Sequence, residues 1–447
     1  MLGRKKTENI CKDILRRAGS DPIEVLLVFE DQSLTRFANN AIHQNVAERN
    51  ATLIVRLLRG KRIGLATSNR LDGRGLDKLV SRARANAQAS LEDPDYPGLP
   101  GPAEYKHVEA FDPHTAQCSP EARAGAVGSL CRLASEKGLN GSGTFSTATH
   151  EIAVANSRGL FAYYVRTGAD FQTVIMSEDS SGREHDSGFR VDDIPIESLF
   201  REAIKKAEDA RHPREIASGD YTVVLTPHAT EDLLNMLNYY GMGAQSLLEG
   251  RSWMNDRMGV KAMSNLISIR DDGLDPEGVP VPFDFEGVPK ERVDIVSRGV
   301  VTSPVHDRIT GRKMDRTSTG HALLPTQRSL EPMATNLFMA PGSSSIQEMI
   351  RSTRRGLYIN RFWYTRLVHP RDCVITGMTR DGLFMVKDGE LAYPVKNLRF
   401  TQSYVEALAN VDRVGRDTRL LTNEFGGYAA RVPALRINEF CFTGSTV

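Results

Sequence analysis

The chain has 447 residues, 40% hydrophobic and 25% charged, an ordinary globular composition in a length that suggests two or three domains. Lys plus Arg number 57 and Asp plus Glu 56, a net charge of +1. That balance gives no support for direct nucleic-acid binding, which normally needs a basic excess or stripe.

In chain order, residues 7–18 set Ile10, Cys11, Ile14 and Leu15 on one helical face, with Gly19 to end it. IEVLLVFE (23–30) reads as a strand with a polar turn at Asp31–Gln32, and ATLIVRLLRGKRIGLATSN (51–69) as a hairpin turning at Gly60–Lys61. A helix follows at 71–90, with Leu76, Leu79 and Val80 facing in, and then a Pro/Gly-rich linker or crossover at 92–102. Ser119–Lys137 is a helix with Pro120 in its first turn. The stretch 143–176 reads as three strands, turning at 156–159 and at Gly168–Ala169; EDSSGREHDSG (178–188) reads as a polar loop and Ile194–Ala210 as a helix.

ARHPREIASGD (210–220) is a boundary. Beyond it Val223, Val224 and Leu225 form a short buried strand, Thr226 can cap a helix, Pro227 suits its first turn, and Leu233, Leu234 and Leu237 make its apolar face. The stretches 271–300, 318–325 and 339–345 are irregular and rich in Gly, Pro, Ser and Asp, as in loops that line a functional surface. A helix at 345–356 precedes short strands from Leu357 on, with a hairpin turn at Asp388–Gly389, a late helix in 401–411 and last strands at 420–425 and 437–442. Runs of strands and helices without regular βαβ alternation predict an α+β fold. The expected parts are an N-terminal α+β domain with antiparallel hairpins (1–110), a middle α+β domain (111–218) and a β-rich C-terminal domain with a helix after its first strand (219–447).

Several groupings could carry chemistry. His228 and Glu231 share a helical face, but a metal needs more ligands, and both suit a first helical turn. His150–Glu151 lies in an alternating strand and lacks a second His. Asp271, Asp272, Asp275, Asp284 and Glu286 match no EF-hand spacing and read more simply as turn caps and ion pairs. Ser318, Thr319 and His321 with Asp307 or His306, and Cys373 with His369, are nucleophile candidates without an elbow motif. Cys11, Cys118, Cys131, Cys373 and Cys441 show neither zinc-ligand nor disulfide spacing, which points to reduced thiols and a cytoplasmic protein. No stretch reaches 18 uncharged apolar residues, and the basic N-terminus has no apolar run behind it, so neither a membrane span nor a signal peptide is expected.

PFDFEGVP (282–289), ERVDIVSRGVV (291–301), DRTSTGHALLP (315–325), ATNLFMAPG (334–342), RRGLYI (354–359) and GLFMVKDGELAYPVKNLRF (382–400) come in an order and spacing that resembles the TldD/PmbA (TldE) family. Its members are often called modulators of DNA gyrase and are classed as metallopeptidases. SLTRFANNAIHQN (33–45) and NSRGLFAYYVRTG (156–168) extend the resemblance toward the N-terminus. TldD-type members carry HExxxH on a helix just after a strand, and a later Cys completes their zinc site. At the matching place this chain has Asn235, Met236 and Tyr240, and LLTNEFGGY (420–428) has no Cys; Cys441 lies too late.

The resemblance is therefore to the TldE/PmbA branch. It implies a chain with no catalytic or metal residues of its own, paired with a TldD-type subunit that holds the zinc, around a cleft where an extended, unfolded peptide is cleaved. The oligomeric state without the partner, a homodimer among the options, stays open at this point. Asn235 and Tyr240 are then expected to line the cleft or the partner surface. Asp284, Glu286, Thr319, His321 and Asn336 are the candidates for shaping the peptide groove. Two other readings remain at this point: a self-sufficient hydrolase using His228/Glu231 or Cys373/His369, and a non-enzymatic regulatory protein.

Overall fold

The apolar run at the start of the first strand is continuous because both faces of that strand are covered. The structure, a computed structural model, describes residues 1–326, 332–422 and 428–445. Strands β1 (Ile23–Ala38), β2 (Ala41–Arg59), β3 (Arg62–Ser68), β4 (Asn140–Asn156), β5 (Phe161–Met176) and β6 (Ser181–Gly188) form one antiparallel sheet, ordered β3-β2-β1-β4-β5-β6. On one face, helices α1 (Arg4–Ala18) and α2 (Gly73–Ala89) pack Cys11, Ile14, Leu76 and Leu79 against Ile23, Val25 and Leu27. Further along, the short α3 (Pro113–Ala116) leads into α4 (Pro120–Glu136); α4 and α5 (Ile196–Asp209) bring Val127, Leu130 and Phe200 onto Phe145, Phe171 and Ile175. Leu26, pointing the other way along β1, joins Ile152, Val154 and Tyr164 in packing on Phe283 from the C-terminal half.

Three local expectations are corrected here. The strand expected to turn at Asp31–Gln32 continues to Ala38, and the turn falls at Asn39–Asn40, both at positive φ (51° and 58°), which Asn tolerates better than most residues. Gly168 and Ala169 lie inside β5, paired with Ala148 and Thr147, so 143–176 holds two strands rather than three. The expected polar loop at 178–188 is largely β6, with Arg183, Glu184 and His185 buried. Its residues are polar because charged groups of the C-terminal half close over this edge.

The second sheet takes β7 (Gly219–Leu225), β8 (Ile269–Asp271), β9 (Val293–Ser297), β10 (Val300–Val301), β11 (Asn336–Met339) and β12 (Arg355–His369). It continues through β13 (Val374–Lys387), β14 (Glu390–Pro394), β15 (Leu398–Ser403), β16 (Val411–Thr422) and β17 (Ala429–Ser445). The strands after 355 expected to be short reach 15 and 14 residues in β12 and β13. Five strands close on themselves: β12 pairs with β7 and β13, β13 with β15, β15 with β17, and β17 with β7. Closure leaves these strands no free edge among themselves. Tyr221, Val223 and Leu225 alternate inward from β7 onto a cluster with Phe362, Phe400, Tyr404, Phe440 and Phe442. Helices α6 (Pro227–Leu237), α7 (Ala244–Leu248), α8 (Arg308–Lys313), α9 (Ile346–Arg351) and α10 (Tyr404–Ala409) lie between the strands; α9 is shorter than the helix expected over 345–356.

Buried charge ties the 282–289 loop to the first sheet. Arg56 on β2 contacts Glu286 at 2.9 Å and Glu24 on β1 at 3.6 Å, and the Tyr105 hydroxyl donates to the Gly287 carbonyl at 2.8 Å. Burial pushes Glu24 from 4.5 up to about 7, against the pull of Arg56 and with the help of Glu286. A carboxyl that holds its proton longer in the folded chain contributes stability that is complete below the unfolded value and is lost as pH rises through the folded one. Glu24→Gln is therefore expected to raise the melting temperature relative to the parent above pH 7 and to leave it unchanged below pH 4.5. An equal shift at both ends of a thermal-melt pH series would contradict this.

Candidate functional site

β7 delivers the chain to α6 through Thr226 and Pro227. The Thr226 hydroxyl does not cap the helix as expected; it donates to the Asn360 carbonyl of β12 at 2.6 Å. Leu233, Leu234 and Leu237 are fully buried in the second core, as their spacing requires. Residues Asn238–Met242 then widen into a π-turn, a form that recurs at functional sites. On a uniform helix, positions five apart diverge by roughly 140° at 100° per residue; the widened turn brings Asn235 and Tyr240 closer to a common side. Both are half-buried, Met236 packs on the core, and Tyr239 is exposed.

α6 lies across β12, whose register with β13 jumps from Trp363↔Met378 to Arg366↔Thr376. This bulge re-aims two consecutive side chains. Thr365 turns inward and donates to Asp232 of α6 at 2.9 Å, and Asp232 also accepts from the Tyr404 hydroxyl at 2.8 Å. Tyr364 turns out to solvent. Gly377 opposite is required: a Cβ there would stand 2.8 Å from the Thr365 methyl and 2.9 Å from the Phe400 ring.

His228 is buried and donates from Nε2 to the His185 carbonyl at 3.2 Å, while Glu231 accepts from the Tyr428 hydroxyl. Burial and then the neighbouring Arg419, Lys206 and Arg183 hold His228 far below its ordinary value, so it stays neutral. Cys373 is fully buried, its thiol pushed up to about 12 by burial and by Asp232, the opposite of an activated nucleophile. His369 is exposed and faces Asp372 at 3.1 Å.

The described parts of the stretch 271–340, residues 271–326 and 332–340, reach the end of α6. Asn238 donates to the Ala334 carbonyl at 2.9 Å, and Val305 donates to the Met242 carbonyl at 2.9 Å. Of the five groove candidates, Asp284, Glu286, His321 and Asn336 are buried and Thr319 is half-buried. Asp284 accepts from the backbone of Glu286, Val288 and Ala322, and Asn336 bridges the Asp272 carbonyl and the Val279 amide. Burial and Glu286 raise the Asp284 carboxyl. His321 meets Asp271 through Nε2 at 2.8 Å and Thr319 through Nδ1 at 2.9 Å. The partner of His321 is thus Asp271, whereas Asp307 caps α8. Thr319 already accepts the His306 amide at 2.8 Å, and Asp271 and His321 have no exposed surface. This relay is a pin between loops, closed to substrate. Asp272 and Asp275 likewise hold turns, and Asp275 pairs with Arg270 at 2.6 Å.

Zinc is the metal the resemblance implies, and the side chains where its ligands would stand are an amide, a thioether and a phenol. They do not fit it, because zinc takes imidazole, thiolate or carboxylate donors. Among the described residues no three His, Cys, Asp or Glu side chains converge as a ligand set. The place of the expected Cys, 420–428, includes 423–427, which lie outside the described residues.

Sequence reasoning missed the exposed pair Tyr364 and Arg366; a Trp-Tyr-Thr-Arg run inside a strand was the available signal. It also missed Asp232, whose polar partners lie over 130 residues away.

Residues 218–444 match the description of the PmbA/TldA metallopeptidase C-terminal domain, 23–87 that of domain 1 and 115–211 that of the central domain. A "Metalloprotease TldD homolog" of Buchnera aphidicola is 24% identical over 60% of this chain, a match that spans 59% of the relative's own length. "Metalloprotease PmbA" of Escherichia coli O157:H7 is 23% identical over 81% of the chain and 80% of the relative. The crystal structure of TldE from Thermococcus kodakarensis superposes with a TM-score of 0.89 at 18% identity, covering 98% of this chain and 100% of that one; this likeness is one of fold.

Proposed function

The chain belongs to the PmbA/TldA metallopeptidase family, and from that premise we propose that it is the TldE/PmbA-type subunit of a cytoplasmic peptidase whose zinc sits in a TldD-type partner. The observation that carries this reading is the pairing of a kept framework with lost donors. The strand, the Thr226–Pro227 break and the helix are all present, yet Asn235, Met236 and Tyr240 stand where zinc ligands and a general base would be needed. In this reading the chain supplies one wall of a cleft for an extended, unfolded peptide. Such peptides are held largely by backbone hydrogen bonds, so Asp284, Glu286, Thr319, His321 and Asn336 act by holding the loops that form the wall. The five unpaired cysteines suit a reducing compartment, and among the described residues no helix is long and apolar enough to cross a membrane.

The test is metal analysis with co-purification. The chain purified alone is expected to carry no stoichiometric zinc and to cleave no unfolded peptide; it is expected to co-purify with a TldD-type chain, and that assembly to contain zinc and cleave. Stoichiometric zinc in the isolated chain, or cleavage by it, would overturn the reading.

A further inference from the structure

The bulge in β12 sets up an arrangement that its structural duties do not use. Tyr364 is the only Phe, Tyr or Trp with positive φ among the described residues (54°), and its side chain is 62% exposed. A bulky residue held in that conformation and pushed into water is strained without packing in return, a combination that clusters at binding sites. The next outward residue, Arg366, lays its guanidinium over the Tyr364 ring at 4.3 Å and donates one Nη1 bond to the Thr365 carbonyl at 2.9 Å. Arg366 is exposed and has no acidic partner among the described residues. By contrast, Arg371 in the turn after β12 and Arg257 of the loop packed on it pair with Asp256 and Asp372. Tyr239 and Tyr240 meet edge-on at 4.9 Å, and the Arg366 charge opposes the burial that raises the Tyr240 hydroxyl.

A guanidinium fixed on an aromatic face is weakly hydrated, keeps its charge at every working pH, and presents a fork that matches a carboxylate. We propose that Arg366, held on Tyr364 by the bulge, receives a carboxylate of an extended peptide. The inference rests on the peptide-cleft reading above and places an anchor for the peptide beside the positions of the lost ligands. The strain at Tyr364 then has a use, since it holds the guanidinium ready before the peptide arrives.

The test is fluorescence anisotropy with three labelled, otherwise uncharged dodecapeptides: one with a free C-terminal carboxylate, one amidated, and one amidated with an internal Glu. They are titrated into the full chain, alone and together with a TldD-type partner. The free acid or the Glu peptide is expected to bind about tenfold more tightly than the neutral one; which of the two is preferred identifies the source of the carboxylate. Arg366→Gln should abolish the preference without weakening the neutral peptide, Arg366→Lys should keep part of it, and Tyr364→Asn, which suits positive φ, should reduce it without loss of thermal stability. Equal binding of all three peptides would overturn this site while leaving the peptide-cleft reading intact. No binding of any peptide in either state would overturn both.

Discussion

Asp271→Ala is expected to cost about 3–5 kcal/mol of folding stability, the range for leaving a buried charge, here the Lys290 ammonium, without its compensating partner. Asp271 has no exposed surface; it accepts from His321 Nε2 at 2.8 Å and from the Asn336 amide at 2.7 Å. Burial raises its carboxyl, but the Lys290 charge and the hydrogen bonds from His321 and the Asn336 amide hold it down, and the net shift is downward. Burial and Lys290 in turn lower His321, so the ring is neutral. With Nε2–H donating to Asp271, Nδ1 accepts from the Thr319 hydroxyl, which accepts the His306 amide. Four loop positions far apart in sequence are thereby held over the end of α6. Without Asp271 the buried Lys290 loses the largest charge supporting its ammonium. Urea unfolding should show the full loss for Asp271→Ala and a smaller one for Asp271→Asn, which keeps an acceptor. A loss below about 1 kcal/mol for the alanine variant, the net worth of one ordinary hydrogen bond, would sink this account.

Glu184→Ala is expected to be as damaging, about 3–5 kcal/mol, and to act on the joint between the two sheets. Glu184 on β6 is 1% exposed and pairs with Lys206 of α5 and Arg419 of β16. Lys206 also donates to Asn360 of β12 at 2.6 Å, and Asn360 returns a bond to the Arg183 carbonyl at 3.2 Å. Burial pulls Lys206 and Arg419 down, but the Glu184 carboxylate, joined by Tyr358 at Lys206 and by Asp186 and Glu202 at Arg419, more than offsets it. Removing that carboxylate leaves two cations beside a neutral His228 with no nearby compensation of equal strength. Because the network joins both sheets, denaturation followed separately by signals from the two halves should lose its coincidence in the variant. Coincident transitions at unchanged midpoint would refute the prediction. Glu184→Gln should fall between, since the amide keeps an acceptor but not the charge.

The elements that could be read from sequence were those whose pattern is local. α2, α4, α5 and the hairpin at Gly60 follow from apolar periodicity and turn chemistry. Leu233, Leu234 and Leu237 pointed inward as their spacing required. The elements that were misread share one cause. β6 looked like a loop because Arg183, Glu184 and His185 are polar, and nothing in their own segment tells that Lys206, Arg419 and Asn360 will reach them. β5 seemed to break at Gly168 because a turn signal inside a strand is overruled by its pairing with Ala148.

The sequence alone thus determined the α+β class, most helix faces, the family and the absence of imidazole and carboxylate at 235, 236 and 240, since each depends on residue identity at short or recurrent spacing. Only the tertiary structure decided that His321 answers to Asp271 rather than Asp307, that the groove candidates are mostly buried braces, and that a bulge turns Tyr364 and Arg366 outward. The physical reason is that a buried polar group must find a partner somewhere, and in this chain those partners lie tens to hundreds of residues away. Periodicity carries no record of such distances.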